Sequence, residues 1–438
     1  MSYEVDWPQI LGWLGKSQTV WIKKLSRNDC SWADDRDKHQ AGFYVPHDIR
    51  AAGFFPALSN VNADKSHIFE ALIQTVWPET GELKLSRVVH YSNKGPETHL
   101  TRLPREQFAG LTPASILVMG SFEGADGPAW WALVVDSASE TASVLETFFD
   151  LDSNFHSILV NPADFISRAR DENEMLIEEL TEALKCGTLA SFIASAALPA
   201  TETLALMAQE EFLRGRSGSL NPFELDAPGN AVMEISRDIE YRLYRRAEMR
   251  HRAAEVLRIL TSQGGSTDIA TSVVRGFSDL NATFLSASQH RKSRAGMSFE
   301  HHIRRMLEDG GVRYQAQAVT GGRRPDFVMP DGAALGPKAK EHGISLVLSA
   351  KTTLRERWKQ ITLERFASPI FLATVDDRIS DDAIIDMSAH SICLVVPESL
   401  KESDYDKHGN VITFAQFFRD QVRDRRPALI RAPVFHLT

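Results

Sequence analysis

The 438-residue sequence predicts a chain of more than one domain: an all-β N-terminal part, then an α/β part with a mixed sheet flanked by helices. Three observations carry that prediction. The length favours two or three domains. Over residues 1–165, short runs rich in Val, Ile and aromatics alternate with turn residues, the spacing of a small barrel or sandwich. In the C-terminal half, strongly apolar strand-sized runs alternate with helical periodicity.

In the first part the strand runs are "QTVWIKKL", "AGFYVP", "RVVHYS", "ASILVMGSF" and "WWALVVD". From about 166 the pattern becomes helical, in "SRARDENEMLIEELTEALKCGTLASFIASAA" and "TETLALMAQEEFLR". The Gly-, Ser- and Pro-rich "RGRSGSLNPFELDAPGN" at 214–230 is the best linker candidate. These changes set three segments: 1–165, a helical connector and linker over 166–230, and 231–438. "MEISRDIEYRLYRRAEMRHRAAEVLRIL" reads as a long charged helix. "SFEHHIRRMLEDGG" reads as another, with Ser298 as N-cap, Glu300 in the first turn, and Gly310 and Gly311 closing it. The runs "ISLVLSA", "PIFLATV" and "SICLVVP" read as buried strands.

Composition excludes several classes. Hydrophobic content of 43% and charged content of 24% are ordinary for a globular protein. A net charge of −9 argues against a polyanion binder that uses its whole surface, while leaving room for local basic clefts. Cys30, Cys186 and Cys393 are far apart, without metal-ligand or disulfide spacing, so they read as reduced and cytosolic. The N-terminal residues do not read as a signal peptide, and no run approaches the ~18 consecutive apolar residues of a spanning helix. Fourteen histidines without ligand spacing argue against zinc.

The chemistry concentrates at 300–364. Asp326, after Pro325, and Lys351, twenty-five residues on, fall at the ends of neighbouring strand runs. Two such ends place a carboxylate and an ammonium within a few ångströms, and Glu300 and Glu364, each helical by pattern, are further carboxylates able to join them. Phosphodiester hydrolysis uses such a set. Carboxylates hold magnesium, which polarises a phosphoryl oxygen and acidifies water. A lysine offsets charge growing on the phosphate. The alternative is an ordinary sheet-edge ion pair. Arg355, Glu356 and Arg357 follow directly. Arginine forks match guanine O6 and N7, and a carboxylate accepts from cytosine N4; the plain alternative is a solvated helical turn.

"HRKSRAGMSFEHH", "RRPDFVMP" and "AKTTLRERWKQITLE" resemble the catalytic domain of the EcoRII-like type IIE restriction endonucleases, the PD-(D/E)xK group that includes Ecl18kI and PspGI. The resemblance implies a magnesium-dependent endonuclease fold with Asp326, Lys351 and Glu364 as the active centre, Asp326 and Glu364 as metal ligands and Glu300 as the upstream helix glutamate. It implies that Arg355, Glu356 and Arg357 read CC/GG, although EcoRII itself has lysine where this chain has Arg355. "SRDIEYRLY" resembles the group's base-flipping pocket, with Arg237 and Tyr241 four residues apart on one helix face. The plain alternative is an exposed arginine and a core tyrosine.

"VWIKKLSRND" and "HQAGFYVP" resemble the group's effector-binding domain, a DNA-binding pseudobarrel. That implies contacts to a second DNA site from His39, Gln40 and Tyr44, and from a loop carrying Lys94, Glu97, Thr98, His99 and Arg102, where EcoRII is more basic. Taken alone, Lys23, Lys24, Arg27, Lys38 and Arg102 are surface cations. "YRRAEMRHR" reads as a solvated face or a phosphate-facing flank, and "HRKSR" at 290–294 as a possible phosphate track. The expected whole is a cytoplasmic prokaryotic homodimer on double-stranded DNA. The alternatives are a repair or modification-dependent nuclease of the same fold, and a catalytically silent DNA-binding regulator.

Overall fold

The structure is a computed structural model. It describes residues 6–34, 42–61, 63–93, 95, 97–124, 127–137, 139–152, 155–216, 218–262, 269–318, 324–335, 344–354 and 368–431. These fall into two compact units, Met1–Asn173 and Glu174–Thr438.

Among its described residues the first unit holds eight strands: β1 (Thr19–Lys24), β2 (Phe43–Val45), β3 (Ile68–Trp77), β4 (Glu82–Tyr91), β5 (Thr98–Thr101), β6 (Ile116–Gly124), β7 (Gly127–Val135) and β8 (Ser157–Val160). They form one sheet in the order β2-β5-β4-β3-β7-β6-β1-β8. Its pairs are antiparallel except β3 with β7, which makes the sheet mixed. Alternation with period two explains its two cores. On β1, Trp21 joins Phe43, Trp77, Leu117 and Met119 on one face. Val20 and Ile22 join Ile116, Val118 and Trp131 on the other. That second face is covered by helices α1 (Trp7–Leu14) and α2 (Glu140–Phe148), through Ile10, Leu14, Ala142 and Leu145. The all-β expectation therefore needs these helices added, because a sheet apolar on both faces must bury both.

Helix α3 (Pro162–Lys185) contains the division between the units. Within the second unit, α4 (Thr201–Leu213) puts Ala208 and Phe212 into the main core. Segment 214–230 is pinned rather than loose at its described residues: Leu220 is wholly buried, and its N–H donates to Asp309 Oδ2 at 2.7 Å. A Cβ on Gly229 would lie 2.7 Å from the backbone of Pro397, so a glycine is needed where these chains meet.

A π-turn (Glu234–Ile239) leads into α5 (Glu240–Thr261). Helix α6 runs unbroken from Phe277 to Asp309. Ser298 is therefore not an N-cap but a fully buried mid-helix residue, and Glu300 lies late in the helix. Its Oγ donates to Glu240 Oε2, so the serine serves an interhelical bond instead of a helix end. Gly310 closes the helix as expected, followed by Gly311 at φ +64°.

The second sheet has the order β14-β13-β12-β11-β10-β9, from β9 (Gln315–Ala316), β10 (Phe327–Met329), β11 (Leu346–Ala350), β12 (Ile370–Ala373), β13 (Ile392–Val396) and β14 (Val411–Thr413). β11 through β14 pair in parallel; β9, β10 and β11 pair antiparallel. Every residue of β11 is buried, which explains why "LVLSA" reads as a continuous apolar run. Among the described residues no helix is long and apolar enough to cross a membrane.

Candidate active site

The reversal of strand direction at β11 builds the site. Phe327 pairs with Leu348 antiparallel, so the start of β10 lies beside the end of β11. Asp326 thus opens β10, rather than ending a strand as its sequence suggests, and meets Lys351 just past β11. Asp326 Oδ2 accepts the Ala350 N–H at 2.8 Å and Lys351 Nζ at 2.7 Å. Nζ also donates to Ala350 O at 3.0 Å. The Lys351 N–H donates to Ala373 O on β12 at 3.0 Å, which fixes the backbone beneath the amine. Both side chains are partly buried, so the pair keeps contact with solvent.

Glu300 approaches from α6. It accepts from Gln317 Nε2 at 3.4 Å, and Gln317 N–H donates to Asp326 O at 2.9 Å. Burial raises the Glu300 carboxyl above its ordinary 4.5; the Asp326 charge adds to the rise and Lys351 opposes it. Two neighbouring carboxylates beside one ammonium are hard oxygen donors of the kind that a divalent cation satisfies. Among the described residues no group of three side chains is placed to hold a metal. Glu364, Arg355, Glu356 and Arg357 lie outside the described residues.

Arg237 and Tyr241 are half-buried at the junction of the π-turn and α5. Arg237 pairs with Asp377 at 3.0 Å and donates to Val375 O at 3.4 Å, at the same end of the sheet as Lys351. On the opposite side of α6 from Glu300 lies a buried network that sequence reasoning missed. Glu240 accepts from Arg294, Ser298 and His302, and His302 Nδ1 meets Gln209 Nε2 at 3.0 Å. The available signal was the i, i+4, i+8 spacing of Arg294, Ser298 and His302, one polar stripe on an otherwise apolar face. Arg291 pairs with Glu248 at 2.9 Å while staying partly exposed, and among the described residues of the expected phosphate track only Arg294 is buried. On α5, Arg245, Arg250 and Arg252 are likewise taken up by Glu248, Glu179 and Glu255.

In the first unit, Tyr44 and His99 are cross-strand partners of β2 and β5, with rings edge to face at 6.2 Å. His99 Nε2 contacts Glu97 at 3.3 Å. Arg102 follows β5 with φ +60°. His39, Gln40 and Lys94 lie outside the described residues. Lys23 is not a surface cation: it is 7% exposed and paired with Asp29 at 2.8 Å.

An acid–lysine pair at adjoining strand ends of a mixed sheet, with a helix glutamate alongside, falls inside residues 262–418, which match the family described as EcoRII C terminal. Over that span the chain is similar to the EcoRII-like type II restriction enzymes. Relatives include the type II restriction enzyme EcoRII of Escherichia coli, 32% identical over 167 residues, covering 37% of this chain and 38% of that one. The type II restriction enzyme SsoII of Shigella sonnei is 32% identical over 142 residues, covering 30% and 46%. The chain thus matches less than half the length of these relatives. A solved complex of metal-depleted Ecl18kI with uncleaved, modified DNA superposes loosely, at TM-score 0.46 and 19% identity, covering 56% of this chain and 86% of that one. The matched span includes Glu300, Asp326 and Lys351 but neither Arg237 nor the first unit.

Proposed function

We propose that the chain is a type II, IIE-like restriction endonuclease that hydrolyses both strands of DNA at a short site containing CC/GG. The observation that carries this reading is the Asp326–Lys351 contact of 2.7 Å facing Glu300 within the EcoRII-like span. In this reading Asp326, with Glu300 beside it, and Glu364 would hold magnesium. Magnesium, when bound, supplies a Lewis acid that polarises the scissile phosphate and lowers the pKa of water. Asp326 fixes the Lys351 amine where it offsets charge growing on the phosphoryl oxygens. Arg355, Glu356 and Arg357 read the C·G pairs, and Arg237 and Tyr241 receive an extruded central base. A palindromic site calls for a two-fold dimer of the second unit. The first unit, a pseudobarrel in this reading, takes a second copy of the site through Tyr44, Glu97, His99 and Arg102, together with His39, Gln40 and Lys94, and activates cutting.

Digesting DNA of known sequence with the full chain and magnesium, then sequencing the ends, tests this directly; one recurring cut site is expected. Lys351→Ala is expected to lower cutting by about a hundred- to a thousandfold while leaving binding near the parent level. Undiminished cutting by that variant removes the assignment.

A further inference from the structure

Immediately after β12 the chain buries two adjacent carboxylates, Asp376 at 4% and Asp377 at 2% exposure. Buried charge is costly unless paired, so each needs a reason. Asp376 is satisfied by backbone. Its Oδ2 accepts the Leu354 N–H at 2.7 Å, and its Oδ1 accepts the Arg378 N–H at 3.0 Å. Leu354 lies three residues past Lys351, so this bond pins the chain leaving the active-site lysine. Tyr405 braces the same turn, its hydroxyl donating to Asp376 O at 2.6 Å.

Asp377 takes side-chain charge instead. Arg237 Nη1 lies 3.0 Å from Asp377 Oδ2, and Arg378 Nε lies 3.6 Å from Oδ1. Arg237 keeps 21% of its side chain exposed and rises from a π-turn, an irregularity that proteins retain where a side chain must be aimed. A single dipeptide therefore ties the arginine and the lysine strand end together. We infer that Asp377 is a positioning residue for Arg237, setting the guanidinium plane against which an extruded base lies, while Asp376 keeps that plane in register with Lys351. This rests on the reading of Arg237 as part of a base pocket.

The test uses the full chain, without magnesium, on a duplex carrying CC–2-aminopurine–GG; anisotropy of the same labelled duplex reports binding. The parent is expected to raise 2-aminopurine fluorescence when bound. Asp377→Asn is expected to cut that rise about tenfold at saturating binding, the cost of losing a partly buried ion pair. Arg237→Ala is expected to do the same, and the double variant no more than either. A full rise in Asp377→Asn alongside a lost rise in Arg237→Ala overturns the inference and leaves the base pocket standing. No rise in the parent, or an undiminished rise in Arg237→Ala, removes the base pocket and the inference with it. Should Asp377→Asn fail to fold, Asp377→Glu keeps the charge and moves the carboxylate by one methylene. A partial rise is then expected, and a full one overturns the positioning role.

Discussion

At the scale of single residues, Glu300 shows how burial and a like-charged neighbour act together. Its carboxyl is raised above its ordinary 4.5, chiefly by burial and then by Asp326. On acidification it takes up a proton before an ordinary glutamate does. A group with a raised folded-state pKa stabilises the fold below its unfolded value, and that contribution is lost as pH rises through the folded one. Metal-free Glu300→Gln is therefore expected to match the parent in mildly acidic buffer and to exceed it at neutral pH, read as urea midpoints. An equal deficit at both pH values contradicts this account. Magnesium is expected to narrow the neutral-pH difference, because a cation favours the ionised glutamate. Asp326 and Lys351 were legible as a pair from Pro-Asp and a lysine closing an apolar run. Which strand end each occupies was not, since that follows from an antiparallel pairing that no local spacing encodes.

At the scale of elements, the contact of α5 with α6 is polar and buried, where the charges of α5 read from sequence as a solvated face. Glu240, Arg294, Ser298 and His302 are all nearly or fully buried. Removing one member strands the others without water. Glu240→Ala is expected to cost about 3–5 kcal/mol, measured by urea unfolding, because Arg294 remains as an uncompensated buried charge. A loss below about 1 kcal/mol would show that water reaches the site. This network also explains why the helix start was misread. Ser298 followed by Glu300 and two closing glycines has the composition of a capped short helix, but Ser298 bonds across to Glu240 and the helix begins at Phe277. Side chain–backbone capping and side chain–side chain bonding draw on the same residue types, so composition alone does not separate them.

At the scale of the whole molecule, the change from strand-rich to helix-rich sequence was legible near residue 166, and the two compact units divide close by, at Asn173 and Glu174. The role of α4 and segment 214–230 was not legible, because Gly, Ser and Pro mark a tightly packed corner as readily as a loose one. Ala208, Phe212 and Leu220 lie in the core of the second unit. A fragment beginning near residue 228 lacks all three and is expected to unfold at lower urea than one beginning at Glu174, since losing a buried Phe or Leu side chain alone costs about 2–5 kcal/mol. The longer fragment is the one to compare with the full chain on one-site DNA, where faster cutting by the fragment is expected if the first unit restrains the second. The reversal of direction at β11 has a further consequence for how such a chain can diverge. The ladder, and not the connecting peptide, brings Asp326 against Lys351. A change in the length of the chain joining the two strands therefore leaves the reactive groups face to face as long as this ladder keeps its register.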